Sequence, residues 1–149
     1  MVLFVLAFGI DRLHKFLQLV VFGWQGGEYV TLTGFFDYVL VWNKGISYGL
    51  LQSVPVTLLG ALMAVAIIAL GVWWWRASSA LVRAGLAICI GGALSNAMDR
   101  WIYGGVADFF YFHWQQYSFY IFNLADAAIT VGVGLLILDF VGIGRPKTL

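Results

Sequence analysis

The chain has 149 residues, of which 62% are hydrophobic and 10% charged, with eight Lys and Arg against seven Asp and Glu. A soluble domain carries about 45–50% apolar and about 25% charged residues, so in water this chain would expose large apolar patches. That balance excludes disorder and a nucleic-acid binder with a basic face, and it makes lipid the expected solvent for most of the surface.

Four stretches approach the roughly 20 apolar residues that a helical span requires. The first runs from Met1 to about Phe22 and contains Asp11, Arg12, His14 and Lys15. Only ten residues precede Asp11. The charged patch therefore lies either near the far interface of a longer chain or well inside a bundle, and in neither case facing lipid. A cleaved signal peptide is disfavoured, because no cationic start or small-residue cleavage site is present. The second span, Pro55 to Trp75, is the clearest, with Pro55 suited to a first helical turn. The third runs from about Leu81 to Trp101 and the fourth from about Phe122 to Val141. The whole, 1–149, reads as a single membrane domain.

Segment 23–54 is rich in Val, Thr, Tyr and Phe punctuated by glycine, which predicts short strands at the membrane surface rather than a flexible linker. Segment 102–121 is expected as an outer loop. Arg76 and Arg83 follow the second span, and Arg145 and Lys147 lie in the tail. The positive-inside rule places these on the cytoplasmic side, with both termini. Glu28, Asp37, Lys44 and Asp108 then fall on the outer side.

The polar residues within or beside the spans carry the functional signal. Asn96, Asp99 and Arg100 close the third span, Asp108 follows, and Asn123 and Asp126 open the fourth. If Asp108 and Asp126 meet, two carboxylates sharing one site hold a proton near neutral pH. One can then deprotonate water while the other protonates a carbonyl or leaving group, as in aspartic proteases. The plainer alternatives are a solvated turn for Asp108 and a helix N-terminal charge for Asp126. Asp11 and Lys15, four apart, share a helix face and either pair structurally or contact substrate, with pairing the default. Arg100 either snorkels, binds a lipid phosphate or braces the loop holding Asp108. Asn43, Asn96 and Asn123 are each a local cap or a ligand for a peptide backbone. Asp139 is expected at the inner interface.

The lone Cys89, in an apolar run, reads as a buried thiol. His14 and His113 have no partners at ligand spacing, so neither a metal nor another cofactor is expected. Gly91, Gly92, Gly132 and Gly134 read as points of close helix approach. Phe109, Phe110, Tyr111 and Trp114 form either a substrate clamp or an ordinary aromatic belt.

The same residues carry a family resemblance. Asp11 to Lys15 is similar to a D-x-x-x-K block, and Asn43 to Gly49 to N-x-G-x-A-[FW]-G. Gly91 to Arg100 matches G-G-A-x-x-N-x-x-D-R, Gly104 to Phe109 matches G-x-V-x-D-F, and Phe122 to Asp126 matches F-N-x-A-D. With these blocks in order from Asp11 to Val141, the chain resembles the lipoprotein signal peptidases (signal peptidase II). Ser47 and Tyr48 stand where the family usually has Ala and Phe or Trp, and Arg12 and His14 where it often has Gln and Thr.

The resemblance implies four transmembrane helices with a small outer sheet in a bacterial inner membrane. It implies an aspartic endopeptidase, inhibited in the family by globomycin, that cuts prolipoproteins just before their diacylglyceryl-modified cysteine. Asp108 and Asp126 would be the catalytic dyad, with Asp11, Lys15, Asn43, Asn96, Asp99, Arg100 and Asn123 as polar lining. Expected partners are the lipidated prolipoprotein and membrane phospholipid, with a monomer chemically sufficient. The alternatives are a small ion- or solute-coupled transporter and a structural subunit that pairs its charges with a partner.

Overall fold

A computed structural model describes residues 1–45 and 56–143. Residues 46–54 of the strand-rich segment (including Ser47, Tyr48 and Gly49), together with Pro55, Arg145 and Lys147, lie outside the described residues. Helix α1 spans Val2–Phe16 and continues through a wider π-type turn, Leu17–Val21. Strands β1, Tyr29–Thr33, and β2, Phe36–Asn43, follow. Helix α2, Val56–Arg76, and α3, Ala80–Tyr103, come next. Strand β3, Val106–Trp114, and β4, Tyr117–Ser118, lead to α4, Leu124–Phe140.

The helices and the strands solve different problems. Helices α2 and α3 are long and apolar enough to cross a membrane, with mean hydropathies of 2.1 and 1.5 in their most apolar stretches. Only 6% of that stretch of α2 is buried, against 44% in α3. An apolar helix that is left uncovered by protein requires lipid around it. Helix α3 is central and packs on α1, α2 and α4.

The α3–α4 seam depends on missing side chains. A Cβ on Gly92 would lie 2.5 Å from the Ala125 carbonyl oxygen, and one on Gly85 2.7 Å from that of Gly132. Cys89, buried, packs its sulfur onto Gly132 across the same seam. Gly91 does the same for α1, meeting the Phe4 carbonyl. Gly134, expected at such a contact, instead faces open space, because it projects away from the seam. Gly92→Ala is therefore expected to cost about 1–3 kcal/mol through overpacking. Gly134→Ala should be neutral or slightly stabilising. Thermal unfolding of both variants in detergent checks the contrast.

The four strands form one antiparallel sheet in the order β1-β2-β3-β4. Segment 102–121, expected as a loop, is thus largely strand. Val106–Trp114 finds its hydrogen-bond partner in β2, a non-local pairing that local sequence does not display. A bulge between Tyr38 and Val41 shifts the register so that Val41 faces Asp108 and Asn43 faces Val106. Leu40 of β2 and Ala107 and Phe109 of β3 are fully buried and form a core cluster.

At the other end of the bundle, Asp139 is buried against protein, accepting a 2.5 Å hydrogen bond from Ser79 Oγ at the start of α3. Nearby, the Arg83 guanidinium lies 4.8 Å above the Trp74 ring.

Candidate active site

The charged patch of α1 lies inside the bundle. Asp11 and Lys15 are 0% exposed. Lys15 Nζ reaches Asp11 Oδ2 at 2.8 Å, Asp99 Oδ2 at 2.6 Å and Asn96 Oδ1 at 3.1 Å. Burying an ammonium group is tolerable only with such complete pairing. Asp11 does more than balance charge. Its Oδ1 accepts the Ala125 N–H at 2.9 Å and its Oδ2 accepts Ser95 Oγ–H at 2.6 Å. It thereby fastens the N-terminus of α4, where free N–H groups favour an anion.

Asp99 and Arg100 point to different partners, as neighbours on a helix must. Asp99 accepts from Arg12 Nη2 at 2.6 Å and from the Ala107 N–H at 3.2 Å. Arg100 Nη2 donates to the Gly45 carbonyl at 2.7 Å, bracing the turn that follows β2. The bracing role open to Arg100 in the sequence was for the loop that holds Asp108, whereas its contacts are with the Gly45 and Asn96 carbonyls. Ser95 is a member of this network that sequence reasoning passed over, and Arg12, seen in the charged patch, was not assigned to the polar lining. The signal for Arg12 was its place beside Asp11, one turn from Lys15 on an otherwise apolar helix.

The two remaining acids converge on one asparagine. Asn123 is the N-cap of α4 and forms a capping box with Asp126. Its Oδ1 accepts the Asp126 N–H at 2.9 Å, and its own N–H donates to Asp126 Oδ2 at 3.3 Å. The Asn123 Nδ2 group donates to Asp108 Oδ1 at 2.7 Å and Asn96 Oδ1 at 3.0 Å. Asn96 Nδ2 donates to Asp126 Oδ1 at 2.8 Å, and Asn43 Nδ2 to Asp108 Oδ2 at 3.1 Å. Backbone pairing holds this arrangement in place. The Phe109 and Phe110 N–H groups both donate to the Phe122 carbonyl at 2.9 Å, which seats the residue before Asn123 beside the residue after Asp108.

Asp126 lines a 220 Å³ cavity together with Asn43, Asn96, Arg100, Tyr120 and Ile121. Asp108 is 2% exposed and joins that wall through Asn43. Burial, and next the negative charge of Asp126, push the Asp108 carboxyl up to about 7, against the opposing hydrogen bonds from Asn43 and Asn123. Neither Phe109, Phe110, Tyr111 nor Trp114 lines this cavity. Phe109 is 0% exposed and belongs to the core, so it is not available as a clamp residue. Among the described residues, the aromatic at the cavity is Tyr120.

His14 Nε2 and Tyr38 Oη are 2.6 Å apart, tying α1 to β2. His113 Nε2 lies 2.7 Å from Asp37 Oδ2, which Tyr29 Oη also approaches. Among the described residues, no group of His, Cys, Asp and Glu could hold a metal ion.

A family model described as signal peptidase (SPase) II matches residues 3–142. The chain belongs to the signal peptidase II family. It is 47% identical over 133 residues to the lipoprotein signal peptidase of Beijerinckia indica subsp. indica, covering 87% of this chain and 80% of that one. It is 44% identical to that of Rhodopseudomonas palustris strain TIE-1, covering 95% and 90% respectively. Its fold is similar to that of a bacterial membrane enzyme solved by the in meso method at 2.3 Å, with a TM-score of 0.84 and 23% identity over 99% of this chain and 92% of that one. A second bacterial membrane enzyme, solved at 1.9 Å, gives a TM-score of 0.80 at 25% identity, over 95% and 91%. Membership in the signal peptidase II family makes the chain a peptide-bond hydrolase, and the transporter alternative has no support.

Proposed function

We propose that this signal peptidase II works as an aspartic endopeptidase in which Asp108 and Asp126 share one proton and one water. The enzyme cleaves signal peptides from lipoproteins. The observation that carries the aspartic reading is the attachment of both acids to Asn123, which bonds Asp108 through its amide and Asp126 through its cap.

The ionised member takes a proton from water, whose oxygen attacks the carbonyl carbon preceding the lipid-modified cysteine. The protonated member donates to the departing amine nitrogen as the C–N bond breaks. Donors fixed by α3 and α4 surround the acids, so little reorganisation accompanies charge movement. Asn43, Asn96 and Asn123 orient the carboxyl groups, Arg100 holds the turn over the cavity, and Asp11, Lys15 and Asp99 lock α1 beneath them.

Four membrane-spanning helices, α1 to α4, with the sheet and dyad near the outer face and both termini cytoplasmic, suit this chemistry. The substrate's acyl chains then stay in lipid while its peptide enters the cavity. One chain carries both acids, so a monomer suffices.

The test is cleavage of a diacylglyceryl-modified prolipoprotein peptide by the purified protein in detergent, followed from acidic to alkaline pH. Cleavage just before the modified cysteine is expected, along with far slower cleavage of the unlipidated peptide. Below about 7 the Asp108 carboxyl holds its proton and above that it loses it. The rate should therefore decline as pH rises through about 7. An absence of cleavage by folded protein across several lipidated substrates would overturn the reading.

A further inference from the structure

We propose that Arg12 is a charge-balancing positioning residue that sets the pH range of the Asp108–Asp126 pair. This role rests on the reading of those two acids as the dyad. Inside the bundle, Asp11 and Asp99 face Arg12 and Lys15, two carboxylates against two cations, with Arg12 14% exposed and the other three 0%. Lys15 is shared between both carboxylates, so Arg12 supplies the second positive charge. Among the described residues, it is the donor to Asp99 Oδ1.

The other oxygen of Asp99 holds the N–H of Ala107, the residue before Asp108. Through Lys15, the same cluster touches Asn96, which donates to Asp126. The balance of these four charges thus acts on both acids, one through the backbone of β3 and the other through an amide. Among the described residues, Arg100 of α3 also acts on the pair electrostatically, His14 of α1 feels Asp11 and Lys15 and meets Tyr38 of β2, and Lys44 lies in the turn after β2. The Arg100 guanidinium is committed to Gly45 and Asn96 carbonyls, and Lys44 is exposed. Arg100 also feels the charges of Asp108, Asp126 and Asp99, but among the described residues the contact to Asp99 Oδ1 is made by Arg12.

Removing the Arg12 charge leaves a buried excess carboxylate beside the dyad. Negative charge disfavours ionisation of nearby acids. Arg12→Gln should therefore move the pH profile of cleavage upward by on the order of one unit, while Arg12→Lys keeps the wild-type profile. The double variant Arg12→Gln/Asp99→Asn, neutral again, should return the profile toward the wild-type position even if its maximal rate is lower. Folding is followed by thermal unfolding in the same detergent.

An unmoved profile in Arg12→Gln would overturn the proposal, as would an equal shift in Arg12→Lys or in the double variant. If Arg12→Gln does not fold while the double variant does, the charge balance is upheld. Failure of both to fold would overturn it in favour of a packing role. Asp108→Asn in the same assay keeps the two readings separable. Retained activity there would defeat the dyad, whatever Arg12 does.

Discussion

Asp108→Asn and Asp126→Asn should each lower cleavage by at least about 10³-fold, at the upper end of what a positioned acid or base contributes. The size follows from the sharing of one proton. An amide can neither take a proton from water nor give one to the leaving amine, so loss of either acid disables both halves of the reaction. Residues acting as one unit are strongly non-additive, and the double variant should be no slower than either single one.

Stability should respond in the opposite sense. Asp108 is buried against Asp126, and burial is the main reason its carboxyl is pushed up to about 7. A neutral isostere relieves that cost, so Asp108→Asn should unfold at the same temperature or a higher one. A purely structural Asp108 predicts the reverse, lower stability with partial activity. Peptide cleavage rates and thermal unfolding in one detergent distinguish the two.

Lys15→Met should be the most damaging single change to the fold. Its ammonium is 0% exposed and meets Asp11, Asp99 and Asn96. An exposed ion pair is worth about 0–1 kcal/mol. Deleting one partner of a buried group of charges typically costs about 3–5 kcal/mol, because the other charges stay buried and uncompensated. In a chain of this size that corresponds to a Tm lowered by about 10 °C. The effect should be insensitive to salt, since buried pairs are screened little. Adding Asp11→Asn to Lys15→Met should recover part of the loss by removing one of the stranded carboxylates. No recovery would show that the methylenes of Lys15, rather than its charge, hold α1 in place.

The legible and illegible parts of this molecule divide along a physical line. Helices α2 and α3 are visible as long apolar runs because lipid-facing surface is encoded residue by residue. Strands β1 and β2 show in the Val, Thr and aromatic content of 23–54. Strand β3 was hidden in an expected loop, since it exists by pairing with β2 across more than 60 intervening residues. The aromatic residues next to Asp108 invited a clamp, but Phe109 packs with Leu40 and Ala107 in the core. Arg12 was visible in the charged patch but had no assignable partner, because Asp99 lies 87 positions away.

By itself the sequence determined that this chain belongs in a membrane and that Asp, Asn, Arg and Lys side chains are set into or beside its apolar helices. It also supplied the spaced motifs of a peptidase family. Those are properties of composition and local order, which need no fold to be read. Tertiary structure alone decided which charges neutralise one another, that Asn123 grips both candidate acids, and that Asp11 fastens the start of α4. Hydrogen bonds and buried ion pairs depend on distances of about 3 Å between groups remote in the chain. The glycine-lined seam of α3 and α4 and the bulged pairing of β2 with β3 set those distances.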